Sequence, residues 1–325
     1  MRYLQQFLIF FFPICVTFLS FGQQTVEQVI PSNNSDNKGV SLVILGTAQD
    51  AGSPHIACEK QCCAALFENQ IRSRKVVSFG VVDARAKKTF LFEATPDMAV
   101  QLRDLRTHSG FKNTDIPDGI FLTHAHIGHY TGLMYLGKEA TNAKQVPVYA
   151  MPKMARFLEN NGPWGQLVSN QNIVLKPLQD KQESHLTPDL KVVPFMVPHR
   201  DEYSETAGYK IIGPNKSALF IPDIDKWEKW QTVIVLEIEK VDYAFLDATF
   251  YDAAEINNRD ISEIPHPFVI ESMGLFENIP SAEKEKIHFI HFNHTSPLLN
   301  VASEQSKEVL KKGFGIAEKG LKLEL

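Results

Sequence analysis

Phe121 to Leu133 reads FLTHAHIGHYTGL and sets His124, His126 and His129 within six residues, directly beyond an apolar run. That run, GIFLT from Gly119 to Thr123, predicts a strand, so His124 and His126, two apart in an extended loop, project to the same side. His129 follows at the turn into a predicted helix, TGLMYLGKEA. Two imidazoles on one side and a third around the corner suit tetrahedral zinc or a similar borderline metal, which neutral imidazole binds well. The plainer alternative is a cluster of surface histidines bonded to water. Where an acid would extend the set stands Gly128.

Outward from this stretch, short β-branched runs alternate with helical patterns. VSLVILGT, VVSFGVV and KTFLFEAT predict strands, and a Thr-Pro-Asp turn opens a helix at DMAVQLRDL. VPVYAM, NIVLKPL, LKVVPFMV, GYKIIG, SALFIPD, YAFLDATF, IHFIHF and LKLEL predict further strands, with helices at KMARFLENN, SAEKEK and VASEQSKEVLKKG. Strand-rich first and second halves with helices in both indicate an α/β (α+β) fold of two sheets packed face to face and helices outside. Nearly every histidine and aspartate of interest follows an apolar strand, at the edge where sites are assembled.

The chain has 325 residues, 44% hydrophobic, enough to bury a large core. Its formal charge of -5 comes without a Lys/Arg-rich block, which argues against a nucleic-acid partner. MRYLQQFLIFFFPICVTFLSFGQQ has the layout of a secretory signal peptide: Arg2, an apolar run from about Phe7 to Phe21, then small residues. The expected organisation is a leader over 1–22, a polar tether over 23–39 and one domain over 40–325, with export to the periplasm or medium. The expected partner is a small-molecule substrate, with no stable membrane insertion after cleavage; a homodimer is left open.

THAHIGHYTGL resembles the His-x-His-x-Asp-His motif of the metallo-β-lactamase superfamily, whose fold is an αββα sandwich and whose members are mostly dinuclear zinc hydrolases. The resemblance implies a later His, a bridging Asp and a final His, each after a strand. PFMVPHRDE offers His199, SALFIPDID offers Asp223 and IHFIHFNH offers His291. LDATFYD, HPFVIESMG, HFNHTSPLLN and GIAEKGLKLEL are similar to segments of the coenzyme PQQ synthesis protein B family, and the layout also resembles phosphoribosyl cyclic phosphodiesterases. The first of these families often lacks the first two histidines of the loop, whereas this chain keeps His124 and His126.

The resemblance implies one metal on His124, His126, His199 and Asp223, and a second on His129, His291 and the shared Asp223, with no carboxylate at 128. It also implies a structural zinc on Cys58, Cys62, Cys63 and His294, although the Cys-x₃-Cys-Cys spacing departs from that branch. Free or oxidised thiols are the alternative, and a bond between adjacent Cys62 and Cys63 would be strained. Asp223 and Asp247 are the expected catalytic acids. Asp225, or His55 in QDAGSPHIAC, are further candidates for positioning water, against plainer roles as a helix cap and a loop residue. Arg200 can meet an anionic group. Trp227 and Trp230 suit packing rather than ligand stacking.

These expectations make the chain a metal-dependent hydrolase of a small ester, lactone, amide or cyclic phosphodiester, with one or two catalytic Zn²⁺ delivering hydroxide. Fe²⁺ or Mn²⁺ are the alternative ions. The alternative functions are a mononuclear iron oxygenase and a non-catalytic role related to PQQ synthesis.

Overall fold

In the computed structural model, residues 39–112, 115–257 and 259–325 are described. The expected leader, and all of the expected tether except residue 39, lie outside them. The first sheet contains β1 (Val40–Gly46), β2 (Ser78–Asp83), β3 (Lys88–Phe92), β4 (Gly119–Phe121), β5 (Val146–Ala150) and β6 (Ile173–Pro177). The second contains β7 (Ser184–Thr187), β8 (Leu190–Val197), β9 (Thr206–Ile212), β10 (Ser217–Ile221), β11 (Tyr243–Asp247), β12 (Ile287–Ile290) and β13 (Gly315–Ile316). The closing strand β14 (Lys322–Glu324) returns to the first sheet, giving the orders β14-β1-β2-β3-β4-β5-β6 and β13-β12-β11-β10-β9-β8-β7.

Three apolar layers follow from the sequence pattern. Strands such as β1 and β2 are buried on both faces, which their unbroken apolar runs require. Between the sheets, Phe79, Phe92, Phe121, Phe220 and Phe245 interlock, with Phe79 and Phe220 ring centres 4.2 Å apart. Each buried aromatic of this kind contributes ~2–3 kcal/mol of apolar burial. Helices cover the outer faces. Those between β1 and β6 are α1 (Gln61–Glu68), α2 (Met98–Ser109), α3 (Ile127–Tyr130), α4 (Pro152–Asn160) and α5 (Trp164–Ser169). Met98, Leu105, Met154, Leu158 and Leu167, from α2, α4 and α5, cover the first sheet. The later helices are α6 (Ile234–Ile238), α7 (Val269–Leu275), α8 (Ser281–Lys284) and α9 (Glu304–Lys311). Ile234, Ile238, Val269, Met273 and Val309, from α6, α7 and α9, cover the second sheet. The result is the αββα sandwich of the metallo-β-lactamase fold, and the described residues form one compact unit.

The expected helix TGLMYLGKEA is instead a tight 3₁₀ segment over Thr131–Leu136, entered from the single α turn α3. Gly132 donates its N–H to Ala94 O, and a Cβ there would lie 2.1 Å from Thr95 O. The segment is therefore drawn against the end of β3 too closely for a regular helix. The same pull seats His129, whose carbonyl accepts the Ala94 N–H.

Candidate metal centre

Strand direction explains why distant residues meet. In the first sheet β1, β3 and β4 run the same way, because two antiparallel steps separate β1 from β3 and β4 pairs parallel with β3. In the second, β8, β10, β11 and β12 do likewise. Their carboxyl ends deliver Asp50, Glu93, His124, His126, His199, Asp223, Asp247 and His291 into one pit. Both non-glycine pit residues that end a strand with positive φ, Glu93 (φ 74°) and His291 (φ 67°), carry strain of ~1–3 kcal/mol each.

Asp223 sits at the middle. Its Oδ2 is 3.3 Å from His124 Nε2 and 3.9 Å from His126 Nδ1, and its Oδ1 is 3.2 Å from His199 Nε2. The donor atoms of these four residues all lie within 4.8 Å of one another. On the other side, Asp50, His129 and His291 form a second such group, with His129 Nε2 3.1 Å from Asp50 Oδ1 and 4.0 Å from Asp223 Oδ2. A third group overlaps both: Asp223, Asp247, His266 and His291.

The neighbours of the rings decide which nitrogen faces inward. His124 Nδ1 lies 2.8 Å from Thr123 Oγ1 and His291 Nδ1 lies 2.9 Å from Thr249 Oγ1, whose hydroxyl donates to Asp247 Oδ1. Each threonine oxygen accepts an Nδ1–H, which leaves Nε2 as a lone pair toward the pit. Glu93 holds His129 the same way at 3.2 Å from Nδ1, whereas Glu202 takes His126 by Nε2 at 3.2 Å and leaves Nδ1 inward.

The donor set fits a cation by its own chemistry. His129, His199, Glu93, Asp50 Oδ1, Asp223 Oδ1 and His291 Nε2 are buried without an aligned hydrogen bond, although buried polar atoms are almost always paired. Burial, reinforced by neighbouring His129, holds the His124 imidazole well below its usual value, hence neutral and able to coordinate. Burial opposes ionisation of Asp223, but His199 and His266 overcome it and hold the carboxylate well below its usual range. For His129, burial lowers the value and Glu93 and Asp50 outweigh it. Competing acids and imidazoles in a dry pit are reconciled by one or two divalent ions.

The structure also brings together Cys58, Cys62, Cys63 and His294, with donor atoms within 4.8 Å. Cys58 Sγ and Cys63 Sγ are each 3.9 Å from Cys62 Sγ, and His55 N–H points at Cys63 Sγ at 3.3 Å. The three thiols are free, and burial pushes Cys62 up to about 11. A tetrahedral zinc suits this set.

Two other candidates fall elsewhere. His55 stacks on His294, ring centres 4.3 Å apart, and so belongs beside the thiols rather than the pit. Asp225 accepts from Lys226 N–H at 2.7 Å and pairs with Lys229 Nζ, away from the pit; the short helical turn that follows has Lys226 at its N-cap, so Asp225 does not cap it either. Arg200 is half exposed, with Nη2 3.4 Å from His126 Nε2. Trp227 is buried and donates to Ser272 Oγ, and Trp230 stacks on Phe195, so both pack as expected.

Sequence reasoning missed Asp50, Glu93 and His266. Asp50 and Glu93 follow strands, the same signal that marks the other donors. His266 stands between two prolines ahead of α7, with Nδ1 2.9 Å from Asp247 Oδ2 and 3.2 Å from Asp223 Oδ1. Burial lowers it, but Asp247 and Asp223 raise it to about 10.

A family model described as a β-lactamase superfamily domain matches residues 88–292. Coenzyme PQQ synthesis protein B of Gluconobacter oxydans is 24% identical over 308 residues, covering 88% of this chain and 99% of that protein. The crystal structure of Zn²⁺-bound PqqB from Methylobacterium extorquens superposes with a TM-score of 0.70 at 20% identity, covering 88% of this chain and all of that one. A diphosphatase from the PhnP family superposes with a TM-score of 0.64 at 23% identity, covering 88% and 97%.

Proposed function

Because the chain belongs to the β-lactamase superfamily domain family, we propose that it is a metal-dependent hydrolase of a small ester, lactone or cyclic phosphodiester. The observation that carries this is the convergence of His124, His126 and His199 on one side of Asp223, and of His129 and His291 on the other. A divalent ion of the zinc type, when bound, supplies Lewis acidity and acidifies a water toward neutrality.

The chain's own residues do the rest. Thr123, Thr249 and Glu93 fix the tautomers of His124, His291 and His129, so the pit is organised before any substrate arrives. Asp247 keeps a proton on His266 Nδ1, and the contact with Asp223 sets this imidazole at the edge of the pit, where it is the group placed to pass a proton to a leaving group. Beside Asp50 opens a hollow of about 320 Å³ lined by Ser53, Lys75, Pro96 and Ile127, which Asp50 alone of the pit residues faces. Arg200 at the rim favours an anionic substrate. The leader-like residues 1–22 support an exported location.

The mononuclear iron reading supposes that the second position is lost, and the grouping of Asp50 with His129 and His291 weighs against that loss. The test is metal quantification on purified protein with assays of generic aryl phosphodiesters and lactones. His124→Ala should release zinc from the pit while circular dichroism stays native. Turnover should fall more than ~100-fold, since losing even a hydrogen-bond partner of a ligand costs ~10–100-fold. Fully zinc-loaded wild type that turns over none of these substrates overturns the reading.

A further inference from the structure

A side chain at residue 128 has nowhere to go. A Cβ built on Gly128 would lie 2.3 Å from Asp50 Oδ1, 2.4 Å from Asp50 Cα and 3.1 Å from Asp50 Cβ. The space that an acid at 128 would fill is therefore already taken by an acid from elsewhere in the chain. We propose that Asp50 is the carboxylate ligand of the second metal position, and that residue 128 is glycine because Asp50 needs that space.

Three features place Asp50 as a ligand rather than as a surface ion-pair partner. Its Oδ1 is buried without an aligned hydrogen bond and lies 3.1 Å from His129 Nε2, the nitrogen that Glu93 leaves free to coordinate. Its donor atoms and those of His129 and His291 are mutually within 4.8 Å, the spacing of ligands around one ion. Its backbone is also pinned to the strand that supplies His291. Gln49 N–H donates to Phe292 O at 2.8 Å, and Phe292 N–H donates to Thr47 O at 2.8 Å. A tight turn closes behind it, with Gly52 N–H on Gln49 O at 2.7 Å and Gly52 at φ 71°, a conformation for which glycine is suited. Asp50 and His291 are thus set as a pair before any ion binds. The pit then offers three imidazoles and Asp223 on one side, and two imidazoles, Asp50 and the shared Asp223 on the other. Two carboxylates at the second position are enough to retain a divalent ion there.

The proposal rests on the reading of the pit as a metal centre, and its test does not depend on turnover. Wild type, Asp50→Asn and Gly128→Ala are loaded with zinc alone, and bound zinc is counted by elemental analysis and by chelator competition. Asp50→Asn keeps the shape and removes the charge. It should lose one zinc equivalent from the pit, or bind that zinc ~100-fold more weakly, while the zinc on the His124 side and on the thiols stays. Gly128→Ala should lose the same equivalent by displacing Asp50. In protein loaded with Mn²⁺ alone, the spin-coupled signal of a metal pair should be present in wild type and replaced by that of isolated ions in Asp50→Asn. Unchanged zinc stoichiometry and affinity in Asp50→Asn overturns the proposal, including when its turnover falls, because that outcome makes Asp50 a group that acts on water rather than a ligand. If Gly128→Ala does not fold, Asp50→Asn decides alone. Zinc-loaded wild type without hydrolysis overturns the hydrolase reading and leaves the ligand assignment standing.

Discussion

Glu93 and Glu202 each place a carboxylate 3.2 Å from an imidazole of the pit, yet they should matter very differently. Glu93 is fully buried, faces His129 and Thr123, and sits in strained backbone. Glu202 is 48% exposed at the rim, where water and salt replace it readily. Glu93→Gln, which preserves volume and keeps a carbonyl oxygen to accept the ring N–H, should weaken zinc at the His129 position by ~10–100-fold, because the ring loses the anionic partner that raises its basicity. Glu202→Gln should change zinc affinity only a few-fold, near the small effects typical of exposed pairs. Chelator competition on the two variants checks both. Equal losses would mean that burial does not set the strength of these contacts.

The loop that follows β12 shows how an element is held for function. It carries His291 and His294, and Thr295 within it donates to Glu255 at 2.6 Å, while Glu255 also accepts the Tyr251 N–H. Burial raises Glu255 from 4.5 to about 7, against the pull of those two hydrogen bonds. Below about pH 4.5 the carboxyl is protonated in both states and makes no difference. Between 4.5 and 7 the unfolded chain releases a proton that the folded one keeps, so stability falls as pH rises, by ~3 kcal/mol in all, and is flat above. Glu255→Gln should flatten this part of the profile, measured as denaturation midpoints from pH 4.5 to 7.5. An unaltered slope would place its origin in another group. Element boundaries were legible where periodicity alone decides them: LKVVPFMV coincides with β8, and VSLVILGT overruns β1 by one residue. They were not legible where a tertiary contact decides them, as in the segment pulled onto β3 by Gly132. The same holds for the polar edge strand β7 and the two-residue β13, which are strands only because a neighbour pairs with them.

Across the whole molecule, the sandwich could be anticipated because strands buried on both faces leave unbroken apolar runs, and donors placed after such runs share one sheet edge. The contiguous histidines announced themselves. Asp50 did not, because its meaning depends on an empty space at Gly128, which a sequence shows only as a missing acid. His266 was hidden because it reaches the pit from a loop ahead of α7 rather than from a strand end. One feature of the architecture ties the centres together. The stretch from Gln49 to Cys63 carries Asp50 and all three thiols, and the stretch from His291 to His294 likewise sends one imidazole to each cluster. Cys62→Ser should therefore lower zinc occupancy on the Asp50 side of the pit while sparing the His124 side, as elemental analysis after mild dialysis would reveal; full occupancy on both sides would show the loops to be independent. By the same linkage, an oxidant that pairs two of the thiols should empty the Asp50 side of the pit while the sandwich stays intact, so the redox state of a distant loop would set how full the centre is.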